Sequence, residues 1–190
     1  VEGGRLGTLA CANAFTFGYC LHHTTDLVCS LLGKVEEVYC ALNTDVGDEP
    51  LPLSDERYSE FLYSAGRSRV SLLKFAGGAV ATLQSSNYIK VGHPAVRVDL
   101  VGSKARANMD DIVGRVHLYT DNRAAEVWMP SLVIDRLDLG STTQAAVAAF
   151  IEAIRDGKPV PVPGEDGLAR LELEAALQRS AQENRPIRLA

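Results

Sequence analysis

VSLLKFAGGAVATL, residues 70–83, is the stretch on which the fold turns. Two β-prone runs flank Gly77-Gly78, and paired glycines accept the positive φ values of a tight turn, so the segment predicts a β-hairpin. Downstream, Val96-Arg97-Val98-Asp99-Leu100 alternates apolar with charged residues, the pattern of a strand with one face on a core and the other on water or a site. Arg115 to Tyr119 and Ala124 to Trp128 read as further strands. Upstream, residues 6–15 are small and apolar with no helical period and read as a strand, and Val35, Val38, Cys40 and Leu42 mark another. Asn43 to Asp55, with Gly47, Pro50 and Pro52, reads as a loop.

Helical signals bracket this strand-rich middle. Residues 19–32 carry an apolar ridge of Leu27, Val28, Leu31 and Leu32, with Gly33 in the position of a C-terminal stop. After residue 140, Ser141 and Gln144 fit a capping box, Val147, Phe150, Ile151 and Ile154 share one face, and Gly157 ends the helix. A second helix is expected from about Glu165 to Asn184, with Leu168, Leu171, Ala175 and Leu177 as its apolar surface. Pro186-Ile187-Arg188-Leu189 reads as a closing strand. The expected architecture is an α+β domain: an open, mostly antiparallel sheet with helices on one face.

Composition bounds the function. With 46% hydrophobic and 23% charged residues, the 190-residue chain has an ordinary globular profile and reads as one domain, residues 1–190. At this size about 70% of the unfolded chain's surface can be buried without metal or disulfide staples. The net charge of −5, with no Lys/Arg stripe, argues against a nucleic-acid partner. No apolar run approaches the ~20 residues that span a bilayer, so no membrane partner is expected. The chain starts at Val1 and shows no signal peptide; it reads as a piece of a longer, cytoplasmic protein. Cys11, Cys20, Cys29 and Cys40 then read as reduced thiols filling a core, and their spacing matches no common zinc pattern.

Proton-transfer chemistry concentrates in His22-His23-Thr24-Thr25-Asp26. Three segments in this order resemble the C-terminal domain of the Gfo/Idh/MocA oxidoreductases: Gly4-Arg5-Leu6-Gly7-Thr8, then His23-Thr24-Thr25-Asp26 with Leu32-Gly33-Lys34-Val35, and the tail from Pro163-Gly164-Glu165-Asp166-Gly167 to Arg185-Pro186-Ile187-Arg188-Leu189. The resemblance implies an NAD(P)-dependent oxidoreductase of sugars or cyclic polyols, in which this domain is one wall of the substrate site and a subunit interface through its sheet face. No G-x-G-x-x-G follows a strand and no E-K-P lysine is present. NAD or NADP therefore belongs to an N-terminal Rossmann domain absent from this chain, which alone is expected to bind no cofactor and to be inactive. Tyr19 stands where relatives carry an aspartate.

His23 is the candidate general base, since the resemblance places it beside a substrate hydroxyl and a neutral imidazole takes such a proton near neutral pH. Asp26 is its candidate support, although it is four residues from His22 and three from His23, so either ring could pair with it on a helix. Tyr19, His22, His93 and Arg97 are the candidates for contacts with a sugar or polyol. Arg97 and Asp99 alternate outward on one strand and could instead pair across the sheet, the favoured reading. Trp128 reads as core or interface, and Glu172 and Glu174 as a solvated helix face. The competing expectation is a homo-oligomeric assembly or ligand-binding module that has lost catalysis, which the tyrosine at position 19 favours.

Overall fold

The computed structural model describes residues 4–17, 21–43, 68–86, 96–110, 115–120, 126–128 and 139–189. The strands are β1 (Leu9–Phe17), β2 (Val35–Asn43), β3 (Ser68–Phe75), β4 (Val80–Ser86), β5 (Val96–Gly102), β6 (Arg106–Asp110), β7 (Arg115–Tyr119), β8 (Glu126–Trp128) and β9 (Ile187–Arg188). Among the described residues three helices accompany them: α1 (Leu21–Leu32), α2 (Leu139–Asp156) and α3 (Gly164–Glu183). The strands form one sheet in the order β8-β7-β6-β5-β1-β4-β3-β2-β9. Neighbours run antiparallel except β1 and β4, which are parallel. The open, mostly antiparallel sheet expected from the sequence is the one observed.

Period-two alternation decides which face is covered. Ala12, Ala14 and Thr16 of β1, Ser71, Leu73 and Phe75 of β3, Ala81 and Leu83 of β4, and Val96, Val98 and Leu100 of β5 all turn to one side and are buried. Helix α1 lies over β1 and β4 on that side, and α3 over β2. The other side stays open: Val70, Leu72 and Val80 are 49%, 41% and 41% exposed there.

The hairpin forms as its sequence predicts. Phe75 N–H donates to Ala79 O at 3.0 Å, and Gly78 adopts φ 85 while Gly77 does not, so one glycine of the pair carries the left-handed residue. Gly102 answers a different demand: a Cβ there would lie 2.0 Å from the Leu6 carbonyl oxygen, so only a bare backbone lets the N-terminal segment cross the end of β5.

Three expectations need correction. On α3 the inward set is Leu173, Ala176, Leu177 and Ser180, at i, i+3, i+4 and i+7, whereas Leu168 and Leu171 are 57% and 47% exposed and Ala175 is also outward. Glu174 is not on a solvated face; it is 7% exposed, because Arg69 of β3 lies beneath it. Helix α2 begins at Leu139, so Ser141 lies inside the helix and not at its cap. Strand β6 has no signal in the sequence, since Arg106-Ala107-Asn108-Met109-Asp110 holds no β-branched or aromatic residue. The loop expected over 43–55, from residue 44 on, lies outside the described residues, as does the side chain of Trp128.

Two hydroxyls hold α3 and the tail to the sheet edge. Ser180 Oγ accepts from Cys40 N–H of β2 at 3.0 Å and donates to Arg185 O at 2.7 Å. Strand β9 is only two residues long, and this hydroxyl serves a β2 amide that β9 does not reach. Tyr39 Oη of β2 donates to Asn184 Oδ1 at 2.9 Å, where Asn184 closes α3 in the left-handed conformation with φ 48.

Candidate functional site

The register places one end of the sheet under the histidines. Phe17 closes β1 opposite Ser86, the last residue of β4; Thr16 lies opposite Val96, the first of β5; Ser68, the first of β3, lies opposite Ser86; and Asp110 lies opposite Arg97. The N-terminus of α1 follows β1 at this same edge. Connections 18–20, 44–67, 87–95 and 111–114 all leave from it, whereas tight turns at 76–79 and 103–105 close the opposite edge. Long connections gathered at one edge of a rigid sheet are the usual seat of a binding site.

Helix α1 is fixed at this edge by an inward face of Leu21, Thr24, Thr25, Val28 and Cys29. Its threonines fit beneath a helix because Thr25 Oγ1 donates back to Leu21 O at 2.9 Å, satisfying the buried hydroxyl. That seating leaves His23 exposed and His22 half-buried, with ring centroids 3.9 Å apart and planes 42° apart. Burial, and then the neighbouring His23, hold the His22 imidazole below its ordinary value of 6.5. Two imidazoles this close disfavour a second charge.

Asp26 turns to α3: its Oδ1 accepts from Arg170 Nε at 3.0 Å. One turn further along α3, Glu174 accepts from both terminal guanidinium nitrogens of Arg69, from Nη2 at 3.0 Å and from Nη1 at shorter range. Both partners are buried, and Arg69 Nε has no hydrogen-bond partner among the described residues. Arg170 and Glu174, with His22 and Thr25, line a cavity of about 70 Å³ between the two helices. A larger cavity of about 490 Å³ is bordered by Asp26, Cys29, Lys34, Asp166 and Arg170. Burial pushes the Cys29 thiol up to about 11, so it is an unreactive wall of that cavity.

Arg97 projects from the open side of β5 at the same edge. It lies 3.6 Å from Asp99 on its own strand, and Asp99 also accepts from Asn108 Nδ2 of β6 at 2.7 Å and lies 3.7 Å from Arg106. Asn13 accepts from Thr82 Oγ1 at 2.8 Å, completing a polar row across β4, β1, β5 and β6. Asn13, Phe15, Thr82, Gln84, Arg97 and Asp99 line a shallow cavity of about 370 Å³. Arg97 and the histidines thus share an edge but face opposite sides of the sheet. Tyr19 and His93 lie outside the described residues.

Arg69, Arg170 and Glu174 have no mark in the sequence as site residues. Each meets its partner over more than a hundred positions of chain, and no local pattern encodes such a pairing. Among the described residues, no group of three or more His, Cys, Asp or Glu side chains is disposed to hold a metal ion. No helix there is long and apolar enough to cross a membrane.

Comparisons with known proteins give one consistent answer on fold and family. Residues 14–189 match the model of the oxidoreductase family's C-terminal alpha/beta domain, Gfo/Idh/MocA type. A myo-inositol 2-dehydrogenase of Thermotoga maritima is 25% identical over 168 residues, which are 88% of this chain and 47% of that protein. A levoglucosan dehydrogenase solved with NADH and L-sorbose superposes with TM-score 0.79 at 13% identity, covering 100% of this chain and 60% of that one. An aldose-aldose oxidoreductase of Caulobacter crescentus, solved with glycerol, superposes with TM-score 0.73 at 20% identity over 99% and 58%. The chain spans about half the length of the curated relative and about three-fifths of these solved chains.

Proposed function

The chain belongs to the Gfo/Idh/MocA oxidoreductase family as its C-terminal alpha/beta domain, and from that premise we propose that it is the substrate-binding and oligomerisation domain of an NAD(P)-dependent dehydrogenase of a sugar or cyclic polyol. The observation that supports this reading is the end of the sheet at which α1 sets His22 and His23 and from which the chain leaves β1, β2 and β4.

In this reading the cofactor is bound by a nucleotide-binding domain of the full-length protein and supplies the hydride acceptor. The present chain holds the substrate hydroxyl and takes its proton. His23 is the exposed ring and acts as the general base, because a solvent-facing imidazole can approach a hydroxyl that a half-buried one cannot. His22, kept neutral, backs the His23 ring and presents a hydrogen-bonding edge to the substrate. Asp26 supports the base indirectly: its tie to Arg170 locks the first turns of α1 to α3. Tyr19 and His93 supply further substrate contacts, and the open sheet face, from which Arg97 projects away from the histidines, joins subunits.

His23→Ala in the full-length protein is expected to lower turnover at least ~100-fold, the scale of a lost general base, with circular dichroism unchanged. A second reading, an assembly or ligand-binding module without catalysis, is favoured by Tyr19 in the place where the family resemblance expects an aspartate. Unchanged turnover in a folded His23→Ala protein would leave that second reading standing for this site.

A further inference from the structure

Helix α2 presents its surface the wrong way round for a helix that packs only on its own domain. At i, i+3, i+4 and i+7, Val147, Phe150, Ile151 and Ile154 form an apolar ridge, yet they are 51%, 52%, 56% and 65% exposed. Its one buried side chain among those described is Ala153, about a third of a turn round the helix from the ridge, with Ala149 half-buried beside it. The helix therefore touches the domain with its smallest residues and offers its largest to solvent. Helix α3 shows the ordinary arrangement, its Leu173 and Leu177 being 1% and 0% exposed.

An 18-residue helix held mainly at one alanine gains little from tertiary packing, although packing of an amphipathic face supplies most helical stability in proteins. The ridge calls for an occupant. The flank of α2 carries Glu152, Arg155 and Asp156, with no surplus of Lys or Arg to seat it on an anionic membrane surface. The relatives point elsewhere: their chains run well beyond the part matched here, and the matching model is of a C-terminal domain. The remaining chain has to abut this domain near the histidines if cofactor and substrate are to meet. Helix α2 leads through residues 157–163 into α3, and α3 grips α1 through Arg170 and Asp26.

We propose that the Val147–Ile154 ridge of α2 is the docking surface for the nucleotide-binding domain of the full-length protein, an interdomain contact continuous through α3 with the histidine helix. The inference rests on the reading above that this domain works beside a dinucleotide-binding one.

The test uses the full-length protein with Ile151→Cys, and Glu152→Cys as a control on the polar flank. Maleimide labelling of each peptide is followed by mass spectrometry at dilutions where light scattering reports a single chain, and NADH binding is followed by fluorescence on the same samples. At least ~10-fold slower labelling at 151 than at 152 is expected, a gap corresponding to about 1.4 kcal/mol in accessibility. Equal rates, or protection at 151 that vanishes on dilution, overturn the proposal; the latter assigns the ridge to a second copy. Equal rates with NADH bound sink the docking surface alone, whereas a full-length protein that binds no dinucleotide removes both. Should the variants not fold, cross-linking of the unsubstituted protein from Lys158, just beyond α2, decides the matter. Links to lysines preceding residue 1 of this chain are expected, and links confined to residues 1–190 overturn it.

Discussion

Removing the Glu174 carboxylate leaves Arg69 as a buried charge with one nitrogen already without a partner among the described residues. Glu174→Ala is expected to cost about 3–5 kcal/mol in chemical denaturation, while replacing both by apolar residues of similar volume restores most of the loss. A single-variant cost under ~1 kcal/mol would show that the pair is solvated. His22 gives a pH signature of definite sign. Its folded value lies below 6.5, so the unfolded chain binds the proton more tightly. Stability from this group is complete above 6.5 and declines as pH falls from there towards the lowered folded value. His22→Asn should flatten that decline when unfolding is compared at about pH 7.5 and 5.5; an unchanged slope would locate the titrating group elsewhere. The histidines and Asp26 are legible in the sequence because they are near neighbours on one helix. Arg170 and Glu174 are not, since their roles arise only when α3 is laid across α1.

At the scale of elements, the turn between β3 and β4 separates conformation from contact. Neither Gly77 nor Gly78 has an atom within 4 Å of where a Cβ would sit, yet only Gly78 has positive φ. Gly78→Ala should therefore lose about 1–2 kcal/mol from the left-handed backbone alone, and Gly77→Ala much less. Equal losses in thermal unfolding would contradict the φ assignment. Ser180→Ala strands the Cys40 amide and should cost about 1–3 kcal/mol. The hairpin and alternating strands could be read from local pattern, because alternation and turn residues are written in adjacent positions. The inward face of α3 could not: Leu168, Leu171, Leu173 and Leu177 are chemically alike, and what chooses among them is the sheet beneath.

For the whole molecule, the apolar patch of Val70, Leu72 and Val80 on the open sheet face is the feature that argues for assembly. Leu72→Glu in the full-length protein is expected to lower the light-scattering mass towards one chain without loss of fold; an unchanged mass would remove the sheet face as the interface. The same sheet has an order of construction built into it. β2, β3 and β4 are sequential neighbours, as are β5, β6, β7 and β8, so each group can zip up locally. β1 lies between the two groups, parallel to one and antiparallel to the other. It precedes the other strands of the sheet in the chain and finds its two partners only after β4 and β5 have been made. The strand that delivers the histidine helix is thus the keystone of the sheet, and α1 acquires its seat in the same late event that joins the two halves.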